Sequence, residues 1–158
     1  MSRLTPIYSA NRMVREYVER CYLPAAAAYE RRAADGCALG THITEWRRAL
    51  AQNWVRTRFG RVSVETVEGQ HRFTAEVELN GIDPGAVRVE LWSDSSGSGE
   101  VWRQEMTREE RPADAAGRHL YAAGIPAARP ASDYTARVVP AHADVSVPLE
   151  APYILWQR

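Results

Sequence analysis

GRVSVETVEGQHRFTAEVEL, residues Gly60–Leu79, is the stretch on which the fold turns. Val62 and Val64 alternate with polar residues, Glu68-Gly69 offers a turn, and Phe73, Ala75, Val77 and Leu79 then alternate with Thr74, Glu76 and Glu78. A period of two marks half-buried strands, because successive side chains leave opposite faces of a pleated backbone. The stretch therefore reads as a β-hairpin.

Downstream the pattern repeats. Asn80-Gly81 and Asp83-Pro84-Gly85 punctuate the chain before a third strand, in which Val87, Val89 and Leu91 alternate with Arg88, Glu90 and Trp92. The run SDSSGSG at Ser93–Gly99 is a turn or flexible loop. Further strands are predicted around Val101–Thr107, His119–Ala123, Asp133–Val139 and Tyr153–Trp156, the last following the proline-marked stretch Pro148–Pro152. About seven short antiparallel strands over residues 61–158 match an immunoglobulin-like or fibronectin-like β-sandwich. Tyr134, near the start of the sixth strand, fits either a tyrosine corner, its hydroxyl bonded to upstream backbone, or a plain core position.

Upstream of Gly60 the period is 3.6. Val14, Tyr17, Val18, Cys21 and Tyr22 recur at three- and four-residue intervals, a helical stripe with Arg15, Glu16, Glu19 and Arg20 on the solvated side and Ser9 placed to accept a hydrogen bond from an early helical N–H. Pro24 should kink or break that helix, the Ala-rich stretch after it favours helix again, and Gly36 and Gly40 bracket a loop. A further helix from Thr41 or Ile43 stacks Trp46, Leu50 and Trp54 on one face and should end near Gly60. The expected class is α+β by content: a helical segment of two to three helices over residues 1–60, then the sandwich module.

The chain has 158 residues, 45% hydrophobic and 25% charged, as a chain that buries a core should. Twenty basic and twenty acidic side chains cancel and are interspersed, so no field gathers nucleic acid or an anionic membrane surface. Every basic residue is Arg, and Lys is absent. A guanidinium keeps its proton throughout the useful pH range, so no side chain here can form a Schiff base. Cys21 lies in a helical pattern and Cys37 in a Gly-flanked loop, which argues against a disulfide. With no signal-peptide pattern and no apolar run near about 18 residues, a cytoplasmic location is expected.

Catalytic signatures are missing. No G-x-S-x-G, G-x-x-x-x-G-K or G-x-G-x-x-G occurs, and His42, His71, His119 and His142 are dispersed rather than paired as metal ligands are. Glu109-Glu110 and the Glu76/Glu78 alternation read as solvated charges. No catalytic, cofactor-binding or metal-ligating residue is therefore assigned. Trp46 and Trp54 follow helical core spacing, which leaves Trp92, Trp102 and Trp156 as candidates for a sugar platform or an interface.

The segment Tyr8-Ser9-Ala10-Asn11-Arg12-Met13-Val14-Arg15-Glu16-Tyr17 resembles the late helix of α-glucan phosphorylases, and Val18-Glu19-Arg20-Cys21-Tyr22-Leu23-Pro24-Ala25 resembles its continuation in the shorter bacterial branch. LNGIDPGAVRVELW, SDYTARVVP and the closing ILW are similar as well, so the resemblance covers nearly the whole chain. It implies the C-terminal region of a glycogen or maltodextrin phosphorylase. In that family a two-domain glycosyltransferase body passes a terminal glucosyl unit of α-1,4-glucan to phosphate, giving glucose 1-phosphate, with pyridoxal phosphate supplying a phosphate group. The cofactor lysine, the phosphate-binding basic residues and the Gly-rich loop lie upstream of the matched region, so none carries over. Met1 opening directly before the late helix suggests a split-gene product, a partial sequence or an expressed fragment.

Two functions of different class follow. The first is a structural segment, inactive alone, that docks the stripe Val14, Tyr17, Val18, Cys21 and Tyr22 onto a phosphorylase catalytic body. The second is a free-standing carbohydrate-binding sandwich that takes α-glucan on Trp92, Trp102 or Trp156. An unrelated small enzyme ranks below both.

Overall fold

The computed structural model describes residues 10–94, 101–109 and 117–158. Ser9 as a helix cap, the Ser95–Gly99 part of the predicted loop and the Glu110 half of the acidic pair lie outside the described residues. The chain divides into two compact units, one ending at Glu45 and the other beginning at Trp46. Its content is α+β: helix first, then antiparallel sheet.

The first unit is helical. α1 (Ala10–Tyr17) runs into a π-helical turn, Val18–Tyr22, and then into α2 (Leu23–Asn53). Pro24 does not break the run, contrary to expectation. A proline lacks the N–H of a regular turn and its ring crowds the carbonyl four residues earlier. The wider turn just ahead of it, closed by the Leu23 N–H donating to the Val18 carbonyl, lets the helix pass that position. The interruption falls instead at Ala34–Cys37, where Asp35, Gly36 and Cys37 are all left-handed, with φ of 50°, 65° and 65°. Gly40, expected in a loop, lies within the helix that resumes there. No helix among the described residues is long and apolar enough to cross a membrane.

The second unit starts with the last two turns of α2, which bury Trp46 and Leu50. Its strands are β1 (Arg58–Val67), β2 (Gln70–Glu78), β3 (Val87–Asp94), β4 (Val101–Glu105), β5 (Thr107–Arg108), β6 (Arg118–Pro126), β7 (Thr135–Pro140) and β8 (Leu155–Trp156). They form two four-stranded sheets, β1-β2-β6-β5 and β4-β3-β7-β8, antiparallel throughout. The β1–β2 hairpin forms as predicted, with Glu68 and Gly69 both at positive φ in its turn.

The core follows the period of two. Phe73, Ala75, Val77 and Leu79 are buried from β2 and its end, Val87, Val89 and Leu91 from β3, Tyr121 and Ile125 from β6, and Ala136 and Val138 from β7. Val64 remains exposed, because β1 is an edge strand. A bulge breaks the β1–β2 register between Phe59 and Val62. It needs Gly60: a Cβ there would come within 2.9 Å of the Glu76 carboxylate, which accepts the Arg61 N–H and pairs with Arg118 at 3.0 Å.

The described residues contain eight strands, one more than the sequence pattern suggests. The predicted strand over Val101–Thr107 is two. Met106, buried, donates its N–H to the Val89 carbonyl at 2.8 Å, whereas Thr107 and Arg108 pair with Ala122 and Tyr121 of the other sheet. The chain changes sheets at Met106.

Candidate functional site

In the first unit the predicted stripe is open to solvent. Val14, Tyr17, Val18 and Tyr22 keep 58%, 55%, 38% and 66% of their surface, and Cys21 is exposed and unpaired, as is Cys37. Met13, Leu23 and Tyr29 are exposed too, so the apolar surface is wider than the stripe read from the sequence. Met13 lies four residues before Tyr17, on the same helical face, and so extends the stripe toward the N-terminus. On α1, Arg12 pairs with Glu16 at 2.8 Å, and this hydrogen bond, with the guanidinium's charge, holds the Glu16 carboxyl below its usual range. Soluble proteins seldom leave so much contiguous apolar surface uncovered without a binding role.

In the second unit the three tryptophans singled out in the sequence separate into a pair and a single residue. Trp92 and Trp156 meet edge to face, ring centroids 5.3 Å apart and planes at 81°. The Arg137 guanidinium lies over the Trp156 ring, 5.0 Å from its centroid. Arg137 Nε donates to Glu90 at 2.7 Å, and Arg88 Nε donates to the other carboxylate oxygen at 3.2 Å. Trp92, Glu90 and Arg88 occupy one face of β3 by alternation, the face opposite Leu91 and Val89. Trp102 lies elsewhere. It is the cross-strand partner of buried Ser93, so it belongs to the other face, where its ring packs on Tyr134 at 5.1 Å. Tyr134 also meets Phe73 at 6.0 Å and carries Arg129 over its ring. These contacts give it a packing role.

His42 lies on α2, His71 on β2, His119 on β6 and His142 after β7. His71 is buried, bridging Thr66 Oγ1 at 2.7 Å and the Arg129 carbonyl at 2.9 Å; because a carbonyl only accepts, Nε2 carries the proton. His142 packs on Trp46 at 5.2 Å. Burial and nearby Arg108 hold the His119 imidazole below its usual pKa. Among the described residues no three His, Cys, Asp or Glu side chains gather as a metal set.

What the geometry offers is therefore two surfaces: an apolar helical one, and an aromatic and guanidinium-carboxylate one on the β4-β3-β7-β8 sheet. Comparison with known proteins bears on whose surfaces they are. The chain is 29% identical over 152 residues to glycogen phosphorylase of Mycobacterium bovis and 28% identical to that of Mycobacterium tuberculosis, covering 90% of this chain in each case. It spans only 18% of those relatives' own length. The family profile described as glycogen phosphorylase C-terminal domain matches residues 54–158. As that match takes in well over half of the chain, the chain belongs to the glycogen phosphorylase C-terminal domain family.

Proposed function

We propose that the chain is a structural and docking segment of an α-glucan phosphorylase, working through contact with a catalytic body rather than through an active site of its own. The parent reaction would be phosphorolysis of α-1,4-glucan to glucose 1-phosphate, in the cytoplasm. The observation that carries this reading is the open face of Val14, Tyr17, Val18, Cys21 and Tyr22 in a chain of this family. Pyridoxal phosphate, implied by the resemblance for the parent enzyme, does not fit the donors present, because no lysine exists to hold it.

The β-unit is read as an immunoglobulin-like sandwich. Its strand order, β1-β2-β6-β5 and β4-β3-β7-β8, follows the A-B-E-D and C′-C-F-G arrangement of such folds, with β4 in the C′ place. Such a module is a rigid platform, and its function is a property of the surface grafted on it.

A second reading, a carbohydrate-binding module, draws on the Trp92–Trp156 pair. Arg137 already covers one aromatic surface of that pair and is itself engaged by Glu90, which favours packing over an open sugar platform.

The test mixes the full chain with a mycobacterial relative from which the matched region has been removed. Complex formation by light scattering, lost in Tyr17→Glu/Val18→Glu, supports docking. A mixture that stays as two separate species overturns it. Saturable maltoheptaose quenching of Trp fluorescence, lost in Trp92→Ala, would favour the second reading.

A further inference from the structure

β1 edges its sheet, and around Ser63 its sequence is complementary to its own reverse. Val62 and Val64 flank that serine, and Arg61 and Glu65 stand one place further out on either side. Antiparallel pairing with a second copy of β1 about Ser63 sets Val62 against Val64 and Arg61 against Glu65, each pair occurring twice by symmetry.

The hydrogen-bond phase of β1 permits that register. Glu68 and Gly69, both at positive φ, form the loop of the hairpin, so the pair that closes it, Val67 and Gln70, is hydrogen-bonded. By alternation Glu65 and Ser63 bond to β2, while Val62, Val64 and Thr66 turn their N–H and C=O groups to the open edge. Pairing about Ser63 joins Val62 of one copy to Val64 of the other through those groups. Neighbouring registers lose the match. Centred on Val62, Glu65 meets Phe59; centred on Val64, Arg61 meets Val67; centred on Arg61 or Glu65, like charges meet.

Val62 and Val64 share the core face with Ala75 and Phe73, yet Val64 keeps 42% of its surface exposed. Arg61 and Glu65 are exposed on the opposite face, and neither side chain makes an ion pair among the described residues. Edge strands are commonly blocked by prolines, bulges or charges. β1 has no proline, and its bulge ends at Val62. Its opposite charges, equally distant from Ser63, attract a second copy where a single sign would repel one.

We propose that β1 is a self-recognition edge, at which two copies of the chain pair antiparallel about Ser63 and join their β1-β2-β6-β5 sheets into one. The proposal is independent of the docking reading, since it concerns the edge of β1 and not the helix.

The test is sedimentation equilibrium of the full chain, alone and with Tyr17→Glu/Val18→Glu to remove association through the helix. A reversible dimer is expected in both. Arg61→Glu and Glu65→Arg each set like charges opposite one another and should weaken dimerisation by about tenfold or more. An equimolar mixture of the two variants restores opposite charges across the pair and should dimerise as the parent does. In a Cys21→Ser/Cys37→Ser background, Ser63→Cys treated with oxidised glutathione should give a disulfide-linked dimer, because the two substituted positions face each other across the two-fold axis, whereas Glu65→Cys should not. A parent that is monomeric at every concentration overturns the proposal. So do single charge variants that associate like the parent, a mixture no stronger than its components, or a dimer lost in Tyr17→Glu/Val18→Glu and kept in Glu65→Arg.

Discussion

Glu90 and Arg137 stand directly opposite each other on β3 and β7, and the carboxylate side chain keeps only 4% of its surface exposed beneath the guanidinium. Arg137 in turn lies over Trp156, which packs on Trp92. The aromatic pair is thus fastened to a buried charge pair on the same face.

Removing one partner of a buried pair costs about 3–5 kcal/mol, because the other is left uncompensated, whereas replacing both by apolar groups is often neutral. Arg88 stays bonded to Glu90, so Arg137→Met should fall at or below the lower end. We expect a loss of about 2–3 kcal/mol by urea unfolding, largely restored in Glu90→Leu/Arg137→Met. Equal stability of Arg137→Met and the parent would show that the pair contributes nothing.

Gly60 supplies a second test. A methyl group there meets backbone-anchored Glu76 rather than free space, with Glu76 Cβ at 3.1 Å and Arg118 beyond it. Gly60→Ala should destabilise by about 1–3 kcal/mol, as overpacking does, and a tolerated substitution would mean that the bulge relaxes.

The alternation in Phe73–Leu79 and Val87–Leu91 made β2 and β3, one central strand of each sheet, legible, because burial on one face imposes a period that survives every local detail. The sheet switch at Met106 was not, since one buried residue between two short strands looks the same in sequence as one strand. Pro24 misled for a related reason: a proline's cost depends on the turn that precedes it, and a π-helical turn has no sequence period of its own. The separation of Trp102 from Trp92 depended on the β3–β4 register, which sets Trp102 opposite Ser93 and which no period within either strand reveals. Arg108 and Tyr121 gave no motif, for they are brought together only by pairing across the sheet.

His119 should make stability depend on pH. Burial, then the Arg108 charge, favour the neutral imidazole in the folded state, so the folded pKa lies below the ordinary 6.5. The unfolded chain then binds more protons as pH falls through 6.5, and the stabilisation present above that pH is progressively lost down to the folded pKa. The exposed part of the ring keeps the effect modest. His119→Gln should flatten the midpoint of denaturation against pH over that window; an identical slope in parent and variant would exclude His119 as its source.

Tyr121→Phe should raise stability where most core substitutions lower it. Deleting a buried hydroxyl that lacks a partner relieves a desolvation cost of about 1–3 kcal/mol, part of which the lost oxygen's packing returns. Burial also raises the phenol's pKa above 10.0, with Arg108 acting in the opposite direction. The folded state therefore holds that proton longer, and stability is lost as pH rises above the unfolded value. The variant should lose that alkaline decline, read as the change in denaturation midpoint between neutral pH and pH above 10.0.

The family match starts at residue 54, yet the compact unit starts at Trp46, and Leu50 within that interval is fully buried. Trp46 packs on His142 and Trp54 on Tyr153, so this helical end covers residues that lie between β7 and β8. Cutting at residue 54 would uncover that surface and remove a side chain whose truncation alone costs about 2–5 kcal/mol. Leu50→Ala in the full chain should therefore lower the cooperative unfolding of the β-unit by that amount. A chain of residues 54–158 should unfold earlier than one of residues 46–158, with Tyr153 and the Leu155–Trp156 strand exchanging amide hydrogens first. If the two truncations unfold together and Leu50→Ala is neutral, the helical end is an appendage, and the sheet pair is stable without it.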